Sequence, residues 1–176
     1  MMDQGLERPV AQISEQLEGR YFGKYRGTVE SVDDPENLGR ITAKVPSVYG
    51  DEVSPWAFPA VPFAGDQHGL LFLPKQGDGV WVEFEAGDAS HPIWTGYWWA
   101  RGEIPAPAGP DQRVIVTPGK LRIILDDSGG GKIQIQHTDQ AEITLSNSEL
   151  TIRFGQAKIV LNAAGVSIND NAFKVI

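Results

Sequence analysis

The chain has 176 residues, with 15 Lys and Arg against 23 Asp and Glu, a formal charge of −8 and no cysteine. The missing cysteines exclude disulfides, thiolate metal sites and a cysteine nucleophile. The sequence has no run of the roughly 20 apolar residues that a membrane helix needs. Residues 1–5 lack the cationic and apolar regions of a secretory signal, so we expect no signal peptide.

The charge is unevenly distributed along the chain. Residues 1–119 carry 9 Lys and Arg and 17 Asp and Glu. Residues 120–176 carry 6 basic residues, Lys or Arg, and 6 acidic residues, Asp or Glu. A small β domain that binds nucleic acid needs a basic groove between its aromatic side chains. Neither half has one, so the sequence predicts no nucleic-acid partner.

Residues 1–20 are expected to form a helical N-terminal extension. Pro9 suits a first helical turn, Gly19 supplies a stop, and Val10, Ile13 and Leu17 lie on one face of the helix predicted over residues 9–18.

Residues 21–101 are expected to form a small closed β-barrel. Five β-rich runs, at about residues 26–32, 40–45, 70–73, 80–85 and 92–99, are separated by turns and show no helical period. In the fourth run Val80, Val82 and Phe84 point to one side. Closure into a barrel removes the exposed edges of so small a sheet.

Residues 102–119 are predicted to be a connector, because three prolines fall within residues 102–110. We place a domain boundary there.

Residues 120–176 carry an internal repeat of short strands in which apolar residues alternate with polar ones. The alternating apolar positions are Leu121, Ile123, Leu125, Ile133, Ile135, Ile143, Leu145, Ile152, Phe154, Ile159, Leu161, Val166, Ile168, Phe173 and Val175. One inward position taken per strand gives Ile123, Ile133, Ile143, Ile152, Ile159, Val166 and Phe173. Repeats of single short strands are typical of solenoids.

The repeat is too short for a β-helix made by one chain, which needs two or three strands per coil. Each strand supplies only one wall of a tube, and burying each of its apolar side chains is worth about 1.5–3 kcal/mol. Three copies around one axis would close the tube. The sequence therefore predicts a homotrimer whose core consists of the alternating apolar positions. The alternative is an ordinary meander packed against the barrel of its own chain.

The motifs of residues 21–101 resemble the baseplate assembly protein V family of contractile phage tails and related injection systems. They are YFGKYRGTV at 21–29, DDP at 33–35, LGRI at 38–41, VP at 45–46, PKQGDGVWVEF at 74–84, GD at 87–88 and PIWTG at 92–96. The resemblance extends to the valine-glycine-repeat spike proteins of type VI secretion. It implies an all-β protein with an OB-fold barrel, followed by an intertwined trimeric β-helix, or β-prism, over residues 120–176.

Three departures from this family define the expected partners. Residues 1–20 cannot hold the hub domain of the larger spike proteins, which implies a separate hub protein. Residues 102–119 leave no space for an inserted lysozyme domain. The C-terminal residues lack the His-x-His metal-binding tip of some free-standing spikes, so Phe173, Val175 and Ile176 are candidate contacts for a tip protein of the PAAR-repeat kind.

The sequence predicts no catalytic, cofactor or metal site. The three histidines, His68, His91 and His137, have no metal-ligand spacing. The run GGGK at 129–132 lacks the full phosphate-loop pattern and is read as a turn between strands. The plentiful carboxylates are read as solvated loop charge.

Aromatic residues cluster where the last strand of the barrel ends, at Trp94, Tyr97, Trp98 and Trp99. They are read either as packing of the barrel or as an interface, with Trp98 and Trp99 as candidate hub contacts together with Val10, Ile13 and Leu17.

The sequence therefore predicts a non-enzymatic, homotrimeric central spike in the baseplate of a phage tail or an injection particle. It would join a hub to a membrane-piercing tip and would meet the target membrane only during puncture. The alternative is a trimeric carbohydrate-binding or polysaccharide-active β protein that uses the aromatic cluster as a sugar platform.

Overall fold

The computed structural model describes residues 17–170 and 172–175. The chain divides into two compact units, with the division between Gly102 and Glu103. The helix predicted over residues 9–18 lies almost entirely outside the described residues, and so do Val10 and Ile13. Leu17 is described and its side chain is exposed.

The described part of the first unit, residues 17–102, contains seven strands and a short helix at Pro46–Tyr49. Their bounds are β1 (Tyr25–Ser31), β2 (Thr42–Lys44), α1 (Pro46–Tyr49), β3 (Phe58–Pro59), β4 (Ala64–Gly65), β5 (His68–Gly69), β6 (Gly79–Phe84) and β7 (Pro92–Trp98). A 3-10 turn, Glu85–Gly87, separates β6 from β7.

Five of these strands form a closed sheet in the order β2-β1-β6-β7-β3. Neighbouring strands are antiparallel except for β3 and β7, which are parallel. Ile41 precedes β2 and Ala57 precedes β3, and these two residues are joined by an isolated β-bridge. Because β2 and β3 are the two edges of the sheet, this bridge closes it into a barrel.

The barrel has its own hydrophobic core. The alternation predicted along β6 is confirmed, since Val80, Val82 and Phe84 are buried while Trp81 and Glu83 are half-buried. The other buried apolar residues of the cluster are Val29, Ile41, Ala43, Val45, Ala57 and Trp94. The first unit therefore has the enclosed interior expected of an independent domain.

The loop between β1 and β2 is held by a single carboxylate. Asp34 accepts hydrogen bonds from the backbone N–H groups of Glu36, Leu38 and Arg40, and from Nε and an Nη of Arg40 at 3.0 and 2.6 Å. The Arg40 guanidinium and these amides hold the pKa of Asp34 well below its usual range. The guanidinium carbon also lies 5.5 Å from the ring centroids of Trp56 and Phe58.

The expected strand over Leu70–Leu73 is wrong. These residues follow the β4–β5 hairpin in an irregular conformation, and all four side chains are exposed. Four consecutive apolar residues have no period-2 pattern. A strand formed by them would be apolar on both sides and would need to be covered on both.

The second unit is an antiparallel sheet of eight strands. They are β8 (Gln112–Val116), β9 (Leu121–Asp126), β10 (Lys132–His137), β11 (Ala141–Ser146), β12 (Glu149–Phe154), β13 (Ala157–Asn162), β14 (Gly165–Ile168) and β15 (Phe173–Val175). Each strand pairs with the next one in the chain, so the order runs without interruption from β8 to β15. Within one chain this region is therefore a meander.

The predicted connector is shorter than expected, because β8 occupies part of residues 102–119. Gln112 to Val116 pair with Asp126 to Arg122 of β9. The prolines that suggested an extended linker lie before β8 and within the turn that follows it.

Tight turns explain the short repeat. Asn147–Ser148, Gly155–Gln156 and Ala163–Ala164 are two-residue connections between paired strands. Gly155 has a φ of 58°, which a glycine adopts without steric strain. The strands β11, β12 and β13 have six residues each, so a turn of two gives a repeat of eight residues per strand.

We predict that Gly79→Ala destabilises the barrel. The backbone φ of Gly79 lies outside the left-handed region, but an added Cβ would lie 2.6 Å from a ring carbon of Trp98. Overpacking of this kind costs about 1–3 kcal/mol. All five tryptophans are in the first unit, so urea unfolding followed by tryptophan fluorescence should show a lower midpoint.

Gly119→Ala is the matched control, because the nearest atom to its Cβ would be the Thr117 Oγ at 3.8 Å. The added Cβ would also lie 2.7 Å from the backbone carbonyl oxygen of Trp98, so an unchanged midpoint for Gly79→Ala would show that both the ring and this carbonyl move aside freely.

Candidate functional site

The pairing of the eight strands aligns their apolar residues into rows that cross the whole sheet. Side chains alternate between two faces along a strand, and paired residues lie on the same face. The central row contains one residue from every strand: Ile115, Ile123, Ile135, Ile143, Ile152, Ile159, Ile168 and Phe173. An unbroken row of large apolar side chains therefore runs from β8 to β15.

Two further rows flank the central row. The longer one consists of Arg113, Leu125, Ile133, Leu145, Leu150, Leu161, Val166 and Val175, and the shorter one of Leu121, His137, Ala141, Phe154 and Ala157. We call the side of the sheet that carries these three rows the apolar face and the other side the polar face.

The register corrects the row predicted from sequence. The choice of one inward position per strand from the sequence placed Ile133 and Val166 in this row. The strand pairing places Ile135 and Ile168 there instead. Successive antiparallel strands run in opposite directions, so residues at one level are separated by alternately longer and shorter intervals.

Two large apolar side chains of the apolar face, Ile115 and Leu150, were missed in the sequence. Ile115 was assigned to the proline-rich connector, although it pairs with Ile123. Leu150 was omitted because only Ile152 and Phe154 were counted on its strand, although the period-2 pattern from Leu150 to Phe154 identifies it.

The apolar face is exposed. The exposed fraction is 39% for Ile123 and 69% for Phe154, and most members of the three rows lie between these values. Leu150, Val166 and Ile168 are half-buried. A contiguous apolar surface of this extent marks an interaction site in a soluble protein. The predicted core positions thus lie together on one face, and their burial in a trimer stays a prediction.

The polar face is held by hydrogen bonds between its own side chains. Glu142 accepts hydrogen bonds from the Thr144 hydroxyl, from Gln134 Nε2 at 2.8 Å and from an Nη of Arg153 at 3.1 Å. Led by the Thr144 hydroxyl, these donors lower the pKa of Glu142 to about 2 against the opposing effect of desolvation. These hydrogen bonds pair the Glu142 carboxylate with three side-chain donors of the same face.

The aromatic cluster at the end of β7 is divided between packing and exposure. Trp94 is buried and its Nε1 donates to the Gly39 carbonyl at 3.1 Å. Trp98 Nε1 donates to the carbonyls of Gly27 and Val80, and its ring stacks on the Arg26 guanidinium. Trp99 is largely exposed. Packing within the barrel therefore accounts for Trp94 and Trp98, and Trp99 is the member free to contact a partner or a sugar.

The predicted tip contacts are only partly described. Phe173 lies in the central row on β15, with its side chain exposed. Val175 pairs with Val166, and Ile176 lies outside the described residues.

Comparison with protein families identifies both units. Residues 25–99 match the type VI secretion system/phage-baseplate injector OB domain. Residues 112–174 match the phage baseplate V C-terminal trimerisation domain. A search of curated proteins finds no significant match.

The two matches occur in the expected order and account for most of the chain. The chain belongs to the baseplate V family of phage and type VI secretion spike proteins. The first unit is thus an OB domain, and the trimerisation domain supports a homotrimer. Both domains support a structural, baseplate spike-type role and point to a non-enzymatic protein. Within the described part of the chain, no helix has the length and apolar character to cross a membrane.

We predict that Ile152→Lys abolishes trimer formation. Ile152 lies in the central row, where an unpaired ammonium group in each copy would cost several kcal/mol on burial. Size-exclusion chromatography with light scattering should give a monomer mass at micromolar concentration. Thr151→Lys is the control, because Thr151 is on the same strand but on the polar face; it should remain a trimer. A trimer for both variants would contradict the assignment of the faces.

We predict that Glu142→Gln lowers the stability of the second unit at pH 7. The pKa of Glu142 in the folded protein lies below its ordinary value of 4.5. Its contribution is therefore present above pH 4.5 and is lost as the pH falls towards 2. Thermal unfolding followed by circular dichroism should show a lower midpoint for the variant at pH 7 and a shrinking difference below pH 4.5. Glu149→Gln, at the exposed start of β12, is the control, and a constant difference across this range would disprove the role of Glu142.

Proposed function

We propose that three copies of this chain form the central spike of a contractile tail or injection particle, joining the hub and tube to a membrane-piercing tip. In the trimer, three apolar faces meet on the axis and the eight-stranded sheets form the walls of an intertwined β-prism.

The observation that supports this proposal best is the exposed, unbroken central row. Eight strands each contribute one residue to it, and it belongs to a unit that matches a trimerisation domain. Two sheets can pack face to face at about 10 Å, but a three-fold arrangement also brings the two flanking rows of each copy into contact with its neighbours. At about 4.8 Å per strand, eight strands make a rod about 35 Å long.

The proposed role is mechanical. Contraction of a sheath supplies the work, so the spike needs no catalytic group. It needs resistance to unfolding while it is driven into an envelope. A continuous dry core along the axis and hydrogen-bonded walls around it supply that resistance, because water must enter the whole row before one chain separates.

The OB units join the spike to a separate hub protein. Trp99 is the best-placed contact, because it is exposed at the end of β7 while Trp98 is held by the carbonyls of its own barrel. The N-terminal residues Val10, Ile13 and Leu17 complete the proposed hub surface through the apolar side of the helix predicted there.

The opposite end of the chain receives the tip. β15 is the last strand of the meander and pairs with a neighbour on one side only. Its backbone edge and the exposed Phe173, together with Val175 and Ile176, offer a seat for a tip protein of the PAAR-repeat kind.

Electron microscopy of intact particles tests this assignment. We expect the chain on the particle axis in three copies, with the OB units against the hub and the β15 end beneath the tip density. A position at the periphery, or a stoichiometry other than three per particle, would overturn the proposal.

A further inference from the structure

The OB unit carries a second apolar surface, separate from the apolar face. It is formed by residues 63–73, which comprise the β4–β5 hairpin and the irregular segment after it, and which we call the apolar arm. Its large apolar side chains are Phe63, Leu70, Leu71, Phe72 and Leu73, and all of them are exposed. Only Asp66 and His68, at the turn of the hairpin, carry ionisable groups.

The backbone of the arm is held in place although its side chains are exposed. The Leu70 N–H donates to the Phe63 carbonyl at 3.2 Å, and the Tyr97 hydroxyl of β7 donates to the Phe72 carbonyl. Leu71 lies beside Gly39, where an added Cβ would be 3.6 Å from its Cδ1. An anchored segment that exposes apolar side chains is preorganised for contact, because little conformational entropy is lost when it is covered.

The area of the arm identifies what covers it. About half of each large side chain is exposed, as for Leu71 at 54%. Even an aromatic side chain counts only about 150–250 Å², so the arm offers at most on the order of 500 Å². A partner that binds from solution needs about 800 Å² on each side. The arm is too small to hold a free partner by itself.

A copy tethered in the same trimer needs a smaller contact area than a partner that binds from solution. The OB unit is joined to β8 by residues 99–111, which span at most about 45 Å when fully extended. In the trimer the three OB units are therefore confined to a small volume, at effective concentrations that reach millimolar for short linkers. The three chains lose their translational freedom when the trimerisation domains assemble, so contact between the arms does not cost it a second time.

We infer that the three apolar arms of one trimer pack against one another, forming a second inter-copy interface between the OB units. This inference rests on the proposed homotrimer. It predicts that the OB units form a closed ring around the axis rather than three independent modules. The interaction closes on itself, as contacts in a three-fold symmetric assembly must.

Thiol chemistry on the full-length trimer tests the inference, because the chain has no cysteine of its own. In Leu71→Cys the new thiol should be labelled by a maleimide at least ten times more slowly than in His91→Cys. Mild oxidation should also link two of the three copies in Leu71→Cys. His91 is an exposed residue at the opposite end of β7 from Tyr97, about 20 Å along the strand. His91→Cys should be labelled quickly and remain unlinked.

Hydrogen exchange on the unmodified protein provides a test that needs no substitution. Amides of residues 63–73 should exchange at least tenfold more slowly in the trimer than in the Ile152→Lys variant. A trimer in which residue 71 is labelled as fast as residue 91 and the arm exchanges equally fast in both proteins would overturn the inference. The arm would then be open to another partner, such as the hub. A monomeric mass for the unmodified chain would instead refute the trimer itself, so the two failures are distinguishable.

Discussion

The alignment of apolar side chains across eight strands is the constraint on which the rest of the molecule depends. Each strand alternates between faces, each turn is short, and each strand pairs only with its neighbours in the chain. Once the first hairpin places Ile115 opposite Ile123, the later pairings continue the same row to Phe173. The result is a sheet with satisfied backbone hydrogen bonds and one face that water solvates poorly. Such a sheet exposes one apolar face, as expected of a domain that assembles into a trimer.

The two units are stabilised in different ways. The OB unit encloses its own core, as shown by Val80, Val82 and Trp94, and the Asp34 carboxylate ties the β1–β2 loop to Arg40. In the second unit the only fully buried apolar side chain among the described residues is Ile124, which is 3% exposed. The first unit is therefore organised like an ordinary small domain, and the second resembles one side of an obligate interface. This division agrees with the two family matches, an OB domain followed by a trimerisation domain.

Much of this organisation could be predicted from sequence because period-2 patterns are local. The alternation from Val80 to Phe84 identified buried residues of the barrel, and the alternation after Lys120 identified the apolar face. Register could not be predicted in the same way. It depends on the number of residues in each turn, so the choice of one inward position per strand misplaced Ile133 and Val166. Ile115 was missed because prolines on both sides of β8 resemble a linker, although neither lies within the strand.

The aromatic cluster shows another limit of sequence reasoning. Trp94, Trp98 and Trp99 are indistinguishable by composition, yet one is buried, one is bonded to two carbonyls and one is exposed. Trp94 and Trp98 lie on β7 on either side of a β-bulge at Thr95, opposite Trp81 and Val82 of β6. Trp99 lies just beyond the end of β7. Only the paired strands reveal that bulge. Likewise, the run from Leu70 to Leu73 looks like a buried strand until its anchoring through Tyr97 is seen.

The nearest-neighbour order of the meander makes the rod modular in length. No pairing skips a strand, so removing or duplicating one complete hairpin, such as β12 with β13, would leave every other pairing intact and preserve the direction of the chain at both ends. Each such step changes the length by about 9.6 Å, twice the strand spacing. A trimerisation domain of this design can therefore change its length by whole-hairpin insertions or deletions, with the OB unit and the terminal strand unchanged.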